Sequence, residues 1–432
     1  MSRVDKQRLE GGVMARLRNA LMAATMVAAP LSWAGGAWAA SAGGPTEDLK
    51  LERVVMMMRH SVRPPTKKPA TPAGTTAQPW GDWSTPYGEL TPHGEAGARL
   101  MGVYYRTFLS ARGLLPGDGC AAKGDIVAWA SGKQRAIRTA EMFVDGLQPG
   151  CGLTVGHPTN EANDPVFHPA EGIDGDIALK AARRQKPGVA AEARLHAADF
   201  AVLQRVLGCD PVSKTGCDIA KKPSHLVGNK GDTPDLEGAL SVASTAGQTV
   251  LLEYVEGKPM NEVGWGRASK ADIQAMLRFH PVKFHYEVGA PYIAERYAAP
   301  VAKEVLGALS GAEGAGGKLT MLVGHDTNIA ALRAFFGAHF TAADYPRDDP
   351  PPGGAMGFEL LKNGAGKRYV RAFYTAQTMD QLRELQPLTP SNPPSYAYFE
   401  IPGCRVAGEA TLCPFETFQK IVDGKLKSPA KN

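Results

Sequence analysis

Two apolar runs constrain this chain more than any other feature. Residues 51–58, LERVVMMM, and 318–323, KLTMLV, have the length and the β-branched and methionine content of strands. Each breaks off into charged and imidazole side chains: the first into Arg59-His60 and then Arg63, the second into Gly324-His325-Asp326-Thr327-Asn328. A helical pattern, IAALRAFFG, follows the second. A third candidate strand, DIVAWAS (125–131), leads into the helical KQRAIRTAEMFVDGL (133–147). In LTPHGEAGARLMGVYYRTFLSARG, Thr91 is placed to cap a helix with Pro92 at its first position. Strand, polar turn and helix at both ends of the chain predict an α/β domain with a mostly parallel sheet, whose ligands collect beyond the carboxyl ends of the strands.

Between these ends the pattern changes. DIALKAARRQKP, AADFAVLQRVLG and SKADIQAMLRFHPVKFHYEV are helical, and the stretches between them read as loops. The expected organisation is an α/β domain over 40–167 and 301–432, with an α-helical cap, 168–300, inserted in it. At 432 residues, 44% of them hydrophobic, the chain is long enough for both.

Residues 1–39 read as a secretory signal. MARLRNALMAATMVAAPLSWAGGAWAAS has a basic start, an apolar middle and the small-residue site Ala37-Trp38-Ala39, with cleavage expected before Ala40. Met14 is an alternative start. The competing reading, an uncleaved anchor, needs an apolar run longer than this one, which Pro30 interrupts. Five basic and two acidic side chains precede the apolar segment, so most of the formal charge of +5 sits there. The remainder is too small to predict a nucleic-acid or membrane-surface partner. The expectation is an exported protein, periplasmic or secreted and monomeric. Six cysteines, all after the signal, fit an oxidising compartment and allow about 15 pairings. Spacing favours Cys209–Cys217 and Cys404–Cys413, leaving Cys120 with Cys151. No CxxC pair points to zinc.

The strand ends carry the chemistry. Arg59, Arg63 and Arg135 repel one another unless an anion lies between them, and forked guanidinium groups suit a phosphoryl group. His60, beside them, is a candidate nucleophile, because neutral imidazole can attack phosphorus. The surrounding positive charge disfavours protonation of its ring. The third strand end delivers His325 and Asp326, and Asp326 is the carboxyl group placed by sequence to protonate a departing alkoxide.

RHSVRPP fits an R-H-x-x-R-x-P signature, and GHDTN a distal His-Asp motif. Together with YGELTPHG, QRAIRTAEMF, MNEVGWGR, PPPGGAMGFEL and TMDQLREL, in this order, the chain resembles the histidine acid phosphatases. The likeness is to their bacterial periplasmic branch of phytases and glucose-1-phosphatase. The resemblance implies a three-layer α/β/α domain of the phosphoglycerate-mutase-like kind with an α cap, and a phosphomonoesterase without metal or cofactor. It also implies His60 as the residue that becomes phosphorylated, Arg59, Arg63, Arg135 and His325 as phosphate ligands, and Asp326 as proton donor. Arg135 is preferred to the nearby Arg138 for its R-A-x-x-T-A context. Thr66 and Lys67 continue the motif as in phytases, with Lys68 adding a further cation, and are the expected substrate contacts. Gln248 stands where some phytases carry a carboxylate. Inositol hexakisphosphate is therefore the first expectation, with glucose 1-phosphate or a broad range of monoesters as the alternative.

Two other classes fit less of the sequence. A non-catalytic binder of phosphorylated ligands needs the arginines but neither His60 nor Asp326. A phosphomutase fits export poorly. His93, His157, His168, His280 and His285 read as structural or exposed, Met56–Met58 as buried strand, Pro350–Pro352 as a stiff loop, and Trp80, Trp83 and Trp265 as packing residues.

Overall fold

In the computed structural model the first apolar run is strand β1 (Lys50–Arg59), the middle of the molecule's main sheet. The structure describes residues 49–159, 164–169, 172–209, 217, 219–312 and 316–427. The predicted signal, residues 1–39, and its cleavage point lie outside them. Eight further strands follow: β2 (Ile126–Ala130), β3 (His225–Val227), β4 (Asp235–Glu237), β5 (Leu319–Gly324), β6 (Ala355–Lys362), β7 (Arg368–Ala376), β8 (Ser395–Phe399) and β9 (Leu412–Pro414). The main sheet has the order β2-β5-β1-β6-β7-β8, with β9 on β7, while β3 and β4 form a separate hairpin.

The predicted parallel arrangement holds for β2, β5 and β1, which places Arg59 beside Gly324. Beyond β1 the sheet continues antiparallel through β6, β7, β8 and β9, so it is mixed. Connection length accounts for the β6/β7 pair. Residues 363–367 join β6 to β7, and so short a link closes a hairpin where a parallel crossover needs a dozen residues or more.

Side chains of β1 alternate between two helical layers. Val54, Met56 and Met58 pack in one apolar cluster with Met101 and Tyr105 of α1 (Pro92–Ala111) and Phe143 of α2 (Gln134–Leu147). Val55 and Met57 join the other cluster. Before the second layer comes the helical segment, α3 (Gly175–Arg183), α4 (Val189–Leu195), α5 (Ala197–Val206), α6 (Ala239–Val255), α7 (Lys270–Leu277), α8 (Phe279–Glu287) and α9 (Pro291–Tyr297). The chain then returns through α10 (Ala299–Ser310) to α11 (Asp326–Phe336), α12 (Met379–Arg383) and α13 (Phe415–Lys427). Leu332 and Phe335 of α11 and Phe418 of α13 share the cluster of Val55 and Met57. The methionine run is thus buried strand, as its composition suggests.

Two local features fix the helices that matter for function. Thr91 caps α1, its Oγ1 accepting from the Gly94 N–H at 2.9 Å. Helices α1 and α2 meet backbone to backbone: a Cβ on Gly102 would stand 2.0 Å from the Phe143 carbonyl oxygen, and one on Gly146 2.2 Å from that of Arg99. Disulfides join Cys120–Cys151, Cys209–Cys217 and Cys404–Cys413, the pairing that spacing favours. Among the described residues no helix is long and apolar enough to cross a membrane.

Candidate active site

The parallel strands β2, β5 and β1 end side by side, and their ends bring the three sequence motifs together. Arg59 closes β1. Its backbone N–H donates to the Gly354 carbonyl, and its side chain is 1% exposed. A guanidinium cannot stay charged at that depth without partners. Nη1 donates to the Pro350 carbonyl at 2.6 Å, and Nη2 donates to Gln248 Oε1 at 3.0 Å and lies 3.1 Å from Asp326 Oδ2. The proline loop is thereby tied to the end of β1, and the Gly353 N–H donates to the His60 carbonyl as well. Gln248, flagged in the sequence only as a missing carboxylate, orients Arg59.

His60 follows directly. Its Nδ1 is 2.8 Å from the Ser61 carbonyl, which can only accept, so the proton sits on Nδ1 and the lone pair on Nε2. Arg63 Nε donates towards that Nε2 at 3.4 Å. Burial first, then the charges of Arg135, Arg63 and Arg59, push the His60 pKa well below the usual histidine value. The ring stays neutral in acid. Crowding also shows on Arg63, whose pKa falls to about 9 through burial and then through Arg59 and Arg135. An anion among these cations relieves the strain.

Arg135 reaches the site from the first turn of α2, where Nη1 donates to the Gly88 carbonyl at 3.3 Å. Arg138, three residues on, is neutralised by Glu95 at 2.9 Å and Glu141 at 2.6 Å. From the third strand, His325 caps α11 and Asp326 is its first residue, so the positive end of the helix also faces the site. Asn328 Oδ1 accepts from the His325 N–H, and His325 Nε2 is 3.3 Å from Ser131 Oγ. Burial, then Arg135 and His168, keep His325 neutral. The His60 and His325 rings are 5.7 Å apart, centre to centre.

Asp326 is the one carboxylate among these groups. Burial opposes its ionisation, but Arg59 and His280 outweigh burial and hold its pKa well below the usual aspartate value. His280 reads from sequence as structural or exposed. Here it is buried against the site, with Nδ1 2.6 Å from Asp349 and Nε2 3.6 Å from Asp326. His168 is exposed, as read, yet its ring lies 4.9 Å from His325.

Arg59, Arg63, His280 and Asp326 open into a cavity of about 940 Å³. Thr66 and Lys67, the expected substrate contacts, line it. Lys68 also lines it, but Asp82 at 2.6 Å takes up its charge, so it is not the additional free cation the sequence suggests. Ser241, Ser244, Thr245, Gln248 and Thr249, on one face of α6, form a neutral polar wall. The far side, from β4 and α8, adds Asp235, Glu237, Lys283 and Glu287. Sequence reasoning missed His280, Lys283 and Glu287. Their i, i+3, i+7 spacing puts them on one face of a helix, but nothing in the sequence says what that face meets.

Parallel strand ends, paired helical layers and an arginine-rich anion pocket with a neutral histidine define the class. The chain belongs to the histidine phosphatase superfamily (branch 2), whose sequence profile matches residues 50–173. It is similar to the phytase of Hafnia alvei, solved with tartrate: 32% identity, a TM-score of 0.81, and coverage of 88% of this chain and 98% of that one. It is also 29% identical to the glucose-1-phosphatase of Salmonella typhimurium over 401 residues, 88% of this chain and 94% of the relative. A phytase of Escherichia coli is equally similar, 29% over 400 residues, 87% of this chain and 92% of the relative.

Proposed function

We propose that the protein is an exported phosphomonoesterase that works through a phosphohistidine at His60. The observation that carries this reading is the state of His60: neutral, proton on Nδ1, Nε2 lone pair facing Arg63 in a pocket of three arginines. Arg59, Arg63, Arg135 and His325 bind the phosphoryl oxygens. Nε2 attacks phosphorus, and the departing alkoxide takes the proton of Asp326. Water then attacks the phosphohistidine, returns a proton to Asp326, and phosphate leaves. Against burial, Arg59 and His280 keep Asp326 ionised. A bound phosphate dianion offsets that positive charge and raises the carboxyl's pKa, which makes the donor available in acid.

The helical segment 168–300 acts as the cap over this pocket and the enzyme as a monomer. Inositol hexakisphosphate is the leading substrate, because unpaired Lys67 and the three arginines offer several phosphates a cationic wall. Glucose 1-phosphate is the second reading, and the structure supplies its support: the hydroxyl face of α6 and the carboxylates of Asp235, Glu237 and Glu287 suit sugar hydroxyls better than further phosphates.

The test is kcat/KM on inositol hexakisphosphate, glucose 1-phosphate and p-nitrophenyl phosphate. His60→Ala is expected to lose at least about a thousandfold on all three. Acid-quenched wild type should carry acid-labile phosphate. Lys67→Ala should lower turnover of inositol hexakisphosphate selectively; equal loss on every substrate points to the sugar-phosphate or broad reading. A protein that binds these esters without releasing phosphate is a carrier, and the enzymatic reading fails.

A further inference from the structure

His280 and Asp349 neither hold phosphate nor break the ester in this scheme, yet both are buried against the site. They come from separate elements, α8 and the loop before β6. Asp349 is wholly buried, and its Oδ1 lies 2.6 Å from His280 Nδ1. A carboxylate only accepts, so Nδ1 carries a proton. The other ring nitrogen, Nε2, stands 3.6 Å from Asp326 Oδ2, the oxygen that Arg59 approaches at 3.1 Å. A neutral ring would aim a lone pair at that carboxylate, whereas an imidazolium aims an N–H. With acids at both nitrogens, the arrangement selects the charged ring.

We propose that His280, fixed by Asp349, is a positioning residue for Asp326: a buried imidazolium that orients the carboxyl group and sets the pH range over which it donates its proton. This rests on the reading of Asp326 as the donor. Burial opposes the charge on His280, but Asp349 and Asp326 outweigh burial and raise its pKa. Besides these two, Glu287 on the same helix faces it. Asp326 in turn faces Arg59, Arg63, Arg135, His60 and the neighbouring His325. Tyr345 and Tyr374, beside Asp349, stay neutral because burial raises both. Apart from the arginines, His280 is the cation that faces Asp326 among the described residues, so its replacement spares every proposed phosphate ligand.

The experiment is the pH dependence of kcat, which reports groups in the substrate-bound enzyme. The substrate is an alkyl phosphate, whose poor leaving group makes protonation limiting. Loss of the imidazolium raises the pKa of Asp326, so His280→Gln should move the alkaline limb upward by about one pH unit. Asp349→Asn keeps an acceptor for Nδ1 but removes the buried anion, and should move the limb in the same direction. The double variant should move it no further. In the wild type, the NMR titration of His280 should show a ring still protonated above pH 7. Uniform loss of rate with the limb unmoved, or a His280 ring already neutral at pH 6, overturns the proposal. A wild type inactive on every monoester overturns the phosphatase reading instead, and the NMR titration then still decides the charge of His280.

Discussion

Arg59 shows how one residue can be held between structural and chemical demands. Its three partners, the Pro350 carbonyl, Gln248 and Asp326, come from three separate elements and together keep a guanidinium charged at full burial. Only Asp326 among them balances the charge, so the site is left net positive and ready for an anion. Asp326→Asn keeps the shape but removes the proposed proton donor. It should slow alkyl phosphates by about 10²- to 10⁴-fold while p-nitrophenyl phosphate, whose leaving group needs no proton, loses far less. Equal losses on both would rule Asp326 out as donor. The two arginines of α2 give a paired control. Arg135→Ala should lower kcat/KM about 10- to 100-fold, the worth of a charged hydrogen bond to phosphate. Arg138→Ala removes a half-exposed ion pair and should leave kcat/KM unchanged, with at most about 1 kcal/mol of stability lost.

At the scale of elements, α2 is positioned from both ends. Its glycine-mediated contact with α1 sets its distance, and the Cys120–Cys151 bridge closes a loop that contains β2, α2 and Arg135. Replacing both cysteines by alanine should cost about 3–4 kcal/mol on the chain-entropy account. It should also raise KM, because Arg135 loses its fixed support. Equilibrium denaturation and steady-state kinetics on the same variant check the two effects together. Elements also show what a sequence can disclose. The three strand ends were legible because an apolar run that stops at a charge marks both a strand and the point where it ends. Thr91 and Pro92 marked α1 equally well. His280 was not legible, since a histidine in an amphipathic helix looks the same whether it faces a core or a catalytic carboxylate. Its partner Asp349 is 69 residues away, and only the fold joins them. The antiparallel half of the sheet was missed for a similar reason, because strand direction depends on connection length rather than on apolar pattern. Lys68 was misjudged because Asp82, its partner, sits in a loop without periodic pattern.

For the whole molecule, pH acts on folding and on catalysis through different residues. Glu253 in α6 is 2% exposed and accepts from the Gly264 N–H, and burial raises its pKa to about 7. Glu287, mostly buried at the cavity wall, is raised to about 7 chiefly by the same loss of water. A carboxyl raised in the folded state binds its proton more tightly there than in the unfolded chain. The stability it gives is complete below the unfolded glutamate value, about 4.3, and is lost as pH rises through about 7. His60 and His325 act in the opposite sense. Held neutral below their ordinary value, they lose stability as pH falls. Asp326, held ionised, adds to that loss in stronger acid. Total stability thus mixes opposing groups, and the informative quantity is the difference between wild type and Glu253→Gln, which isolates one carboxyl and leaves the site untouched. Between pH 5 and pH 7.5 the stability of wild type relative to this variant should fall by roughly 2 kcal/mol. Urea denaturation of both proteins at the two pH values measures it, and a constant difference would show that Glu253 ionises normally inside the fold. The same variant should keep the pH optimum of the wild type, which on the proposed mechanism is acidic because it depends on a neutral His60 and on an Asp326 that regains its proton when phosphate binds. Movement of both stability and rate together would mean that the core and the site titrate as one.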